Sequence, residues 1–281
     1  MKLIALCLLR NESWCIGASL RAALRWVDGA AILLDRCVDD TEAIVERAIR
    51  ESGKVCIVSR TDSAEHWQEM NQRQRNLDDA RKLGATHLAI VDGDEILTHN
   101  NLPYVRGWFE GLKEGDALDV PMIAPWGDLF SYCPNTAGVI TLGFKDSMAA
   151  GWAPRGAEKY DHHSRPPHGT KRRVTKACEG GVFHLQFAAK ERMVWKHRHY
   201  MMSEIIRWGY PTREINERYH WWAKDPHGAH LKVIPPEWFG DYQKDLIDLN
   251  ATAWYEPECK AMVQRYGAHR FSGLDLFGWH P

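Results

Sequence analysis

The sequence predicts an α/β protein with a mostly parallel central sheet, flanking helices and a helical extension at its C-terminal end. Three observations lead there. Four apolar runs of strand length recur before residue 92, and segments of helical periodicity separate them. Three of these runs end in polar or acidic residues: Arg10-Asn11-Glu12, Asp35, and Asp92-Gly93-Asp94. The chain has 281 residues, enough for one large domain with an appendage.

The elements follow in order. The run "KLIALCLL" is apolar throughout, as a strand buried on both faces must be. Ile16, Leu20, Ala23, Leu24 and Val27 then form one helical stripe, stopped by Asp28-Gly29. "AAILLD" is a second strand. Ile44, Val45, Ala48 and Ile49 mark a second helix, with Asp40 or Thr41 as its cap and Gly53 as its stop. "KVCIVS" is the third strand, and Asp62 and Glu65 stand at capping-box spacing before a long helix through Trp67, Met70, Gln74, Leu77 and Ala80. Gly84 closes that helix, and "THLAIV" delivers the chain to Asp92.

After residue 100 the rhythm loosens. A helix is predicted near 101–113 and strands at 117–123, at 138–144 and within "GGVFHLQF". Residues 145–179 lack periodicity and read as a long loop. Met193, Val194, His197, Tyr200, Met201, Ile205 and Trp208 line a further helix, and Pro211 opens another. The expected division is a catalytic domain over 1–185 and a helical cap over 186–281 that shapes the acceptor side.

Composition narrows the class. The 36 basic residues nearly cancel the 37 acidic ones, so net charge names no partner. Seven scattered cysteines without a CxxC pair argue against a disulfide framework or zinc knuckle and for a reducing, cytoplasmic setting. The N-terminal apolar run is cut short by Arg10, and no run approaches the ~20 apolar residues of a membrane span. His162, His163 and His168 lack the spacing of a tetrahedral metal site. Seven basic residues against two acids between Arg155 and Lys176 suit a solvated loop, a clamp on a diphosphate, or a groove for a polyanion such as DNA.

Ligands of open parallel sheets bind beyond the carboxyl ends of the strands. No glycine-rich phosphate loop follows the first strand, which argues against a dinucleotide oxidoreductase or a P-loop NTPase. Phosphates must then be handled otherwise, and a cation held by hard oxygen ligands is the natural means.

Four stretches resemble the glycosyltransferase family 2 group with its GT-A fold: "CLLRNESWCIGASLRAAL", "ILLDRCVDDTEAIVERA", "QRQRNLDDARKLGATHLAIVDGDEIL" and "VFHLQF". The resemblance covers about the first 110 residues and, more loosely, 181–200. It departs at "DRCVDDT", where the family often has Asp-Gly-Ser-Thr-Asp. It implies a metal-dependent, inverting transfer of a sugar from a nucleotide donor, UDP-linked, to an acceptor hydroxyl. Arg10, Asn11, Glu12, Asp35, Arg75, Asp92 and Gly93 would form the donor site, with Asp35 on the base. Asp94, Asp92 and His184 would hold Mn²⁺ or Mg²⁺. Asp35 also suits a helix N-cap, and His184 a satisfied core histidine. The proton acceptor is placed on Asp161, with Glu158 and Glu179 as competitors. The acceptor could be a glycan, a small molecule or a hydroxymethylated base in DNA. A sugar-phosphate nucleotidyltransferase and a non-catalytic nucleic-acid module are the readings from other classes.

Overall fold

The computed structural model describes residues 1–61, 69–134, 138–152, 165–220 and 230–281. The first half alternates as the apolar runs predict: β1 (Leu3–Leu9), α1 (Ile16–Leu24), β2 (Gly29–Asp35), α2 (Thr41–Ser52), β3 (Val55–Thr61), α3 (Glu69–Lys82) and β4 (His87–Ile90). Then come β5 (Glu95–Leu97), α4 (Leu102–Glu110), β6 (Asp116–Ile123), β7 (Ser131–Tyr132), β8 (Val139–Lys145), β9 (Arg172–Thr175) and β10 (Val182–His184). The chain ends in α5 (Lys190–Arg207), α6 (Thr212–Tyr219), β11 (Lys232–Val233), α7 (Pro236–Phe239) and α8 (Tyr255–Tyr266). The Asp62–Glu65 capping box and Trp67 lie outside the described residues.

The main sheet runs β3-β2-β1-β4-β8-β6-β10-β5, with β9 added beside β6. Its first four strands are mutually parallel, and the antiparallel β8 joins them to the rest. This is a Rossmann-like α/β sheet, mostly parallel and flanked by helices. Alternate residues of β1 feed opposite faces. Leu3, Ala5, Cys7 and Leu9 pack with Leu20 of α1, Val45 of α2 and Phe109 of α4, while Ile4 and Leu6 pack with Met70, Leu77 and Ala80 of α3. At about 25 cal/mol per Å² of apolar area, this double burial is what makes the continuous apolar run pay its way as a strand.

Two strands escape the apolar pattern. The sequence predicts a loop over 145–179, yet β9 lies within it. Its sequence RRVT carries no apolar periodicity, and its pairing with β6 is reinforced by charge. Arg172 binds Asp116 and Arg173 binds Asp119, at 2.5 and 2.6 Å. β5, of three residues, is held against β10 in a register that sets Glu95 opposite His184.

A second cluster lies around Trp14, Ile96, Phe183, Trp238, Phe239 and Tyr242. A third joins Met201, Met202 and Ile205 of α5 to Ile215 of α6 and to Tyr255 and Cys259 of α8. All seven cysteines are free thiols. Among the described residues no helix is long and apolar enough to cross a membrane.

Candidate active site

Beyond the carboxyl ends of β1, β2 and β4 opens a cleft of about 660 Å³, walled on its far side by α5 and α8. Its floor is set by two left-handed residues at strand ends, Asn11 (φ 52°) and Arg36 (φ 48°). Such backbone costs of order 1 kcal/mol or more and needs local compensation. At Asn11 the side-chain Oδ1 accepts the Val38 N–H at 2.8 Å, tying the loops after β1 and β2 together. Asp39 adds a second tie, accepting the N–H groups of Ser13 and Thr41 at 3.1 Å each.

The loop after β4 enters the cleft through Gly93, whose carbonyl accepts from Ser19 Oγ at 2.6 Å and Cys15 Sγ at 3.2 Å. A Cβ at this position would stand 2.7 Å from Glu12 Cγ, so only glycine lets the loop lie this close to the end of β1. The β5–β10 register then brings His184 beside Asp94, and the Leu185 N–H fixes the Asp94 carbonyl at 2.8 Å. Asp94 Oδ2 lies 3.5 Å from His184 Nε2 and 3.6 Å from Lys196 Nζ. Burial alone would raise the Asp94 pKa, but Lys196 and His184 hold it far below the usual carboxylate range. Burial would likewise depress His184, and Asp94 more than compensates, leaving it raised.

Asp92 faces other partners. Arg165 Nη1 reaches it at 2.8 Å and Arg73 Nη2 at 3.3 Å. Arg165 also binds both oxygens of Glu95 and donates to the carbonyls of Ile90 and Thr141 at 3.0 and 2.7 Å. One guanidinium thus spends its fork on a buried carboxylate, a half-buried one and two backbone oxygens. Burial raises the Glu95 pKa against the pull of Arg165; the Asp92 pKa falls despite burial, because both arginines favour its charge.

Glu12 is half-buried on the cleft wall, and its desolvation raises its pKa; Arg192 opposes the rise from 3.2 Å while Trp14 Nε1 donates to it at 2.6 Å. Arg192 also stacks over the Trp14 ring at 4.9 Å. Asp35 is fully buried and does not line the cleft. Gln72 Nε2 binds its Oδ1 at 2.7 Å and Arg36 Nη2 its Oδ2 at 2.8 Å.

The fold therefore gathers Arg10, Asn11, Glu12, Asp92, Gly93, Asp94 and His184 around one cleft. It does not bring Arg75 there: that side chain donates to the Arg60 carbonyl at 2.9 Å and borders a separate hollow with Ser59 and Asp78. Two residues are about 200° of helical turn, so Arg73 takes the inward place instead. Glu179 is exposed and away from the cleft, its carbonyl accepting from Asn100 and Asn101. Asp161 and Glu158 lie outside the described residues.

Arg73, Arg192 and Lys196 are not singled out by sequence, and Arg165 only as one of the seven basic residues between 155 and 176. A signal existed for α5, where Arg192, Lys196, His199, Ser203 and Arg207 recur at helical spacing and form a polar stripe opposite Met201 and Ile205. The basic run is also less free than its composition suggests, since Arg165, Arg172 and Arg173 are all paired with acids.

The residues present fit a shared divalent cation. Ligand distances near 2.1 Å place two adjacent donors about 3 Å apart, and Asp94 and His184 need close by only a fraction of an ångström. Asp92 is turned to its arginines, and among the described residues no three His, Cys, Asp or Glu side chains form a metal-holding group. A cation here would draw its remaining ligands from phosphate oxygens and water, as Mg²⁺ does in phosphate sites.

No family model matches the sequence, and no curated protein matches it. Among solved structures, the chain is similar to glucosyl-3-phosphoglycerate synthase from Mycobacterium tuberculosis in complex with Mg²⁺ and UDP. The identity is 18% and the TM-score 0.28, over 43% of each chain. The same synthase with Mn²⁺, UDP-glucose and phosphoglyceric acid gives 17% and 0.28, over 44% of this chain and 43% of that one. The chain thus spans less than half of that enzyme's length. A putative glucose-1-phosphate thymidylyltransferase from Bacillus anthracis is matched at 14% identity and TM-score 0.33, over 77% of this chain and 82% of that one. Likeness at this level assigns no activity.

Proposed function

We propose that the protein is a metal-dependent glycosyltransferase of family 2 type, moving a sugar with inversion from a UDP-linked donor to an acceptor hydroxyl. The observation that carries this reading is the Asp94–His184 pair, 3.5 Å apart at the strand ends with Lys196 beside it. A bound divalent cation would there offset the charge that develops on a leaving diphosphate. The chain's own groups add to that role. Lys196 brings a fixed ammonium to the same place, and Arg192 binds and orients Glu12 at its border. Asp92, clamped by Arg73 and Arg165, is held as an oriented acceptor for sugar or ribose hydroxyls. The proton acceptor is assigned to Asp161, four residues before Arg165, which is itself anchored in the cleft.

Titration calorimetry of UDP with and without Mn²⁺ tests the reading. Affinity should rise with the metal in the parent protein and lose that dependence in Asp94→Ala. Equal affinity in the absence of metal, unchanged by the substitution, refutes it.

A further inference from the structure

We propose that the end of the cleft between Arg10 and Glu258 reads the donor's base, and selects one with a carbonyl beside an imide N–H, as in uracil or guanine. This deepens the nucleotide-donor reading and rests on it. The sheet's own candidate for the task, Asp35, is closed off: it has no exposed surface, and both its oxygens are taken by Gln72 and Arg36. Base recognition must then come from groups that do face the cleft beyond β1.

Arg10 and Glu258 are such groups. The Arg10 guanidinium carbon lies over the Trp254 ring, 4.5 Å from its centroid. Its terminal nitrogens stand 4.0 Å from Asp35 and 3.9 Å from Glu258, too far for hydrogen bonds. Its Nε is buried without a partner, as are His199 Nδ1 and Trp254 Nε1 in the same wall. Around them stand Arg36, Arg207, Ser203 and the Trp254–Tyr255 ring pair, so the wall is cationic and aromatic.

The selection follows from which groups can donate. Arginine offers only donors, and an ionised glutamate only acceptors. A planar edge spanning the two must present an acceptor to Arg10 and, next to it, a donor to Glu258. Uracil does so with O4 and N3–H, and guanine with O6 and N1–H. Cytosine and adenine present the reverse, an amino donor toward Arg10 and a bare ring nitrogen toward Glu258. They are rejected because both contacts become unfavourable at once. The C-terminal helix α8, which carries Glu258, thereby sets donor specificity in a site otherwise built by the sheet.

The experiment measures binding of UDP, GDP, CDP and ADP to the full chain with Mn²⁺, by calorimetry. The parent, Glu258→Gln and Arg10→Lys are compared. The parent should favour UDP or GDP over CDP and ADP by about tenfold or more, and the stronger of the first two names the base. Glu258 is half exposed, so Glu258→Gln should keep its melting temperature and its metal dependence. Its amide can donate to a ring nitrogen, and the gap between UDP and CDP should shrink by about tenfold. Selectivity unchanged in both variants, or a parent preference for CDP or ADP, overturns the proposal. Failure of all four nucleotides to bind instead overturns the donor reading itself.

Discussion

Asp35 and Asp94 both stand at the carboxyl ends of parallel strands, and the fold treats them oppositely. At the β2 end, the Asp35 carboxylate is sealed beneath Arg36 and Gln72 with no exposed surface. At the β4 end, Asp94 remains on the cleft wall, its neighbours a histidine and a lysine at 3.5 and 3.6 Å. The first arrangement satisfies a buried charge with hydrogen bonds. The second leaves its charge partners beyond hydrogen-bond length and able to yield to a ligand. A strand-end acid is thus structural or functional according to what other elements bring to it. The polar stripe of α5 brings Lys196 to the β4 end, whereas α3 closes the β2 end with Gln72.

Substitution should separate the two roles. The largest expected effect is on catalysis in Asp94→Ala, where losing the carboxylate beside His184 and Lys196 should lower kcat by about 10³-fold, or ~4 kcal/mol. Folding monitored by circular dichroism should stay cooperative. Asp35→Ala should do the reverse, removing ~3–5 kcal/mol of stability in urea unfolding because Arg36 loses its buried counter-charge. If Asp35→Ala leaves stability intact and abolishes nucleotide binding, the contrast is wrong and Asp35 acts on the ligand.

Arg165 gives the next test. Its guanidinium is the partner of both Asp92 and Glu95; Arg165→Ala leaves Asp92 to Arg73 but strands the buried Glu95 carboxylate, and should cost ~3 kcal/mol. Adding Glu95→Gln should recover part of that loss, since the stranded charge is then removed. Additive losses in the double variant, measured by a double-mutant cycle, would show that the two residues do not act as a unit.

These cases also mark how far the sequence could be read. The sheet core was legible because burial on two faces demands the unbroken apolar run of Leu3–Leu9, and α1 because its stripe must face that run. The acids at the strand ends were legible as a cluster. Their separate fates were not, because Gln72, Arg165 and Lys196 reach them from 37, 73 and 102 residues away in sequence. No local spacing encodes such contacts. Arg73 and Arg75 differ by helix phase: the stripe of Met70, Leu77 and Ala80 puts Arg73, three residues after Met70 and four before Leu77, on the inner side and Arg75 outside, a signal that the family resemblance overrode. β9 was hidden for another reason: its pairing relies on Arg172 and Arg173 with acids of β6, so period-two hydrophobicity never appears.

The smallest expected effect, and the sharpest comparison of the two ends, lies in their histidines. His199 is half-buried, its Nδ1 enclosed, beside Arg10 and Arg207 near the β2 end. Burial first, then those two cations, push its pKa down to about 3. In the unfolded chain it titrates near 6.5. Between these values the unfolded state binds the extra proton, so stability present above pH ~6.5 drains away as pH falls toward 3. His184 runs the other way in protein stripped of metal by a chelator. Asp94 raises its pKa against the effect of burial, so its contribution is complete below pH ~6.5 and fades as pH rises through the raised value. Melting temperatures of the parent and of His199→Phe, followed from pH 7 to pH 4, should therefore diverge, with the variant losing less. A parallel course of the two curves would mean that His199 is protonated in the folded protein, and that the wall between Arg10 and Arg207 is far less positive than its residues require.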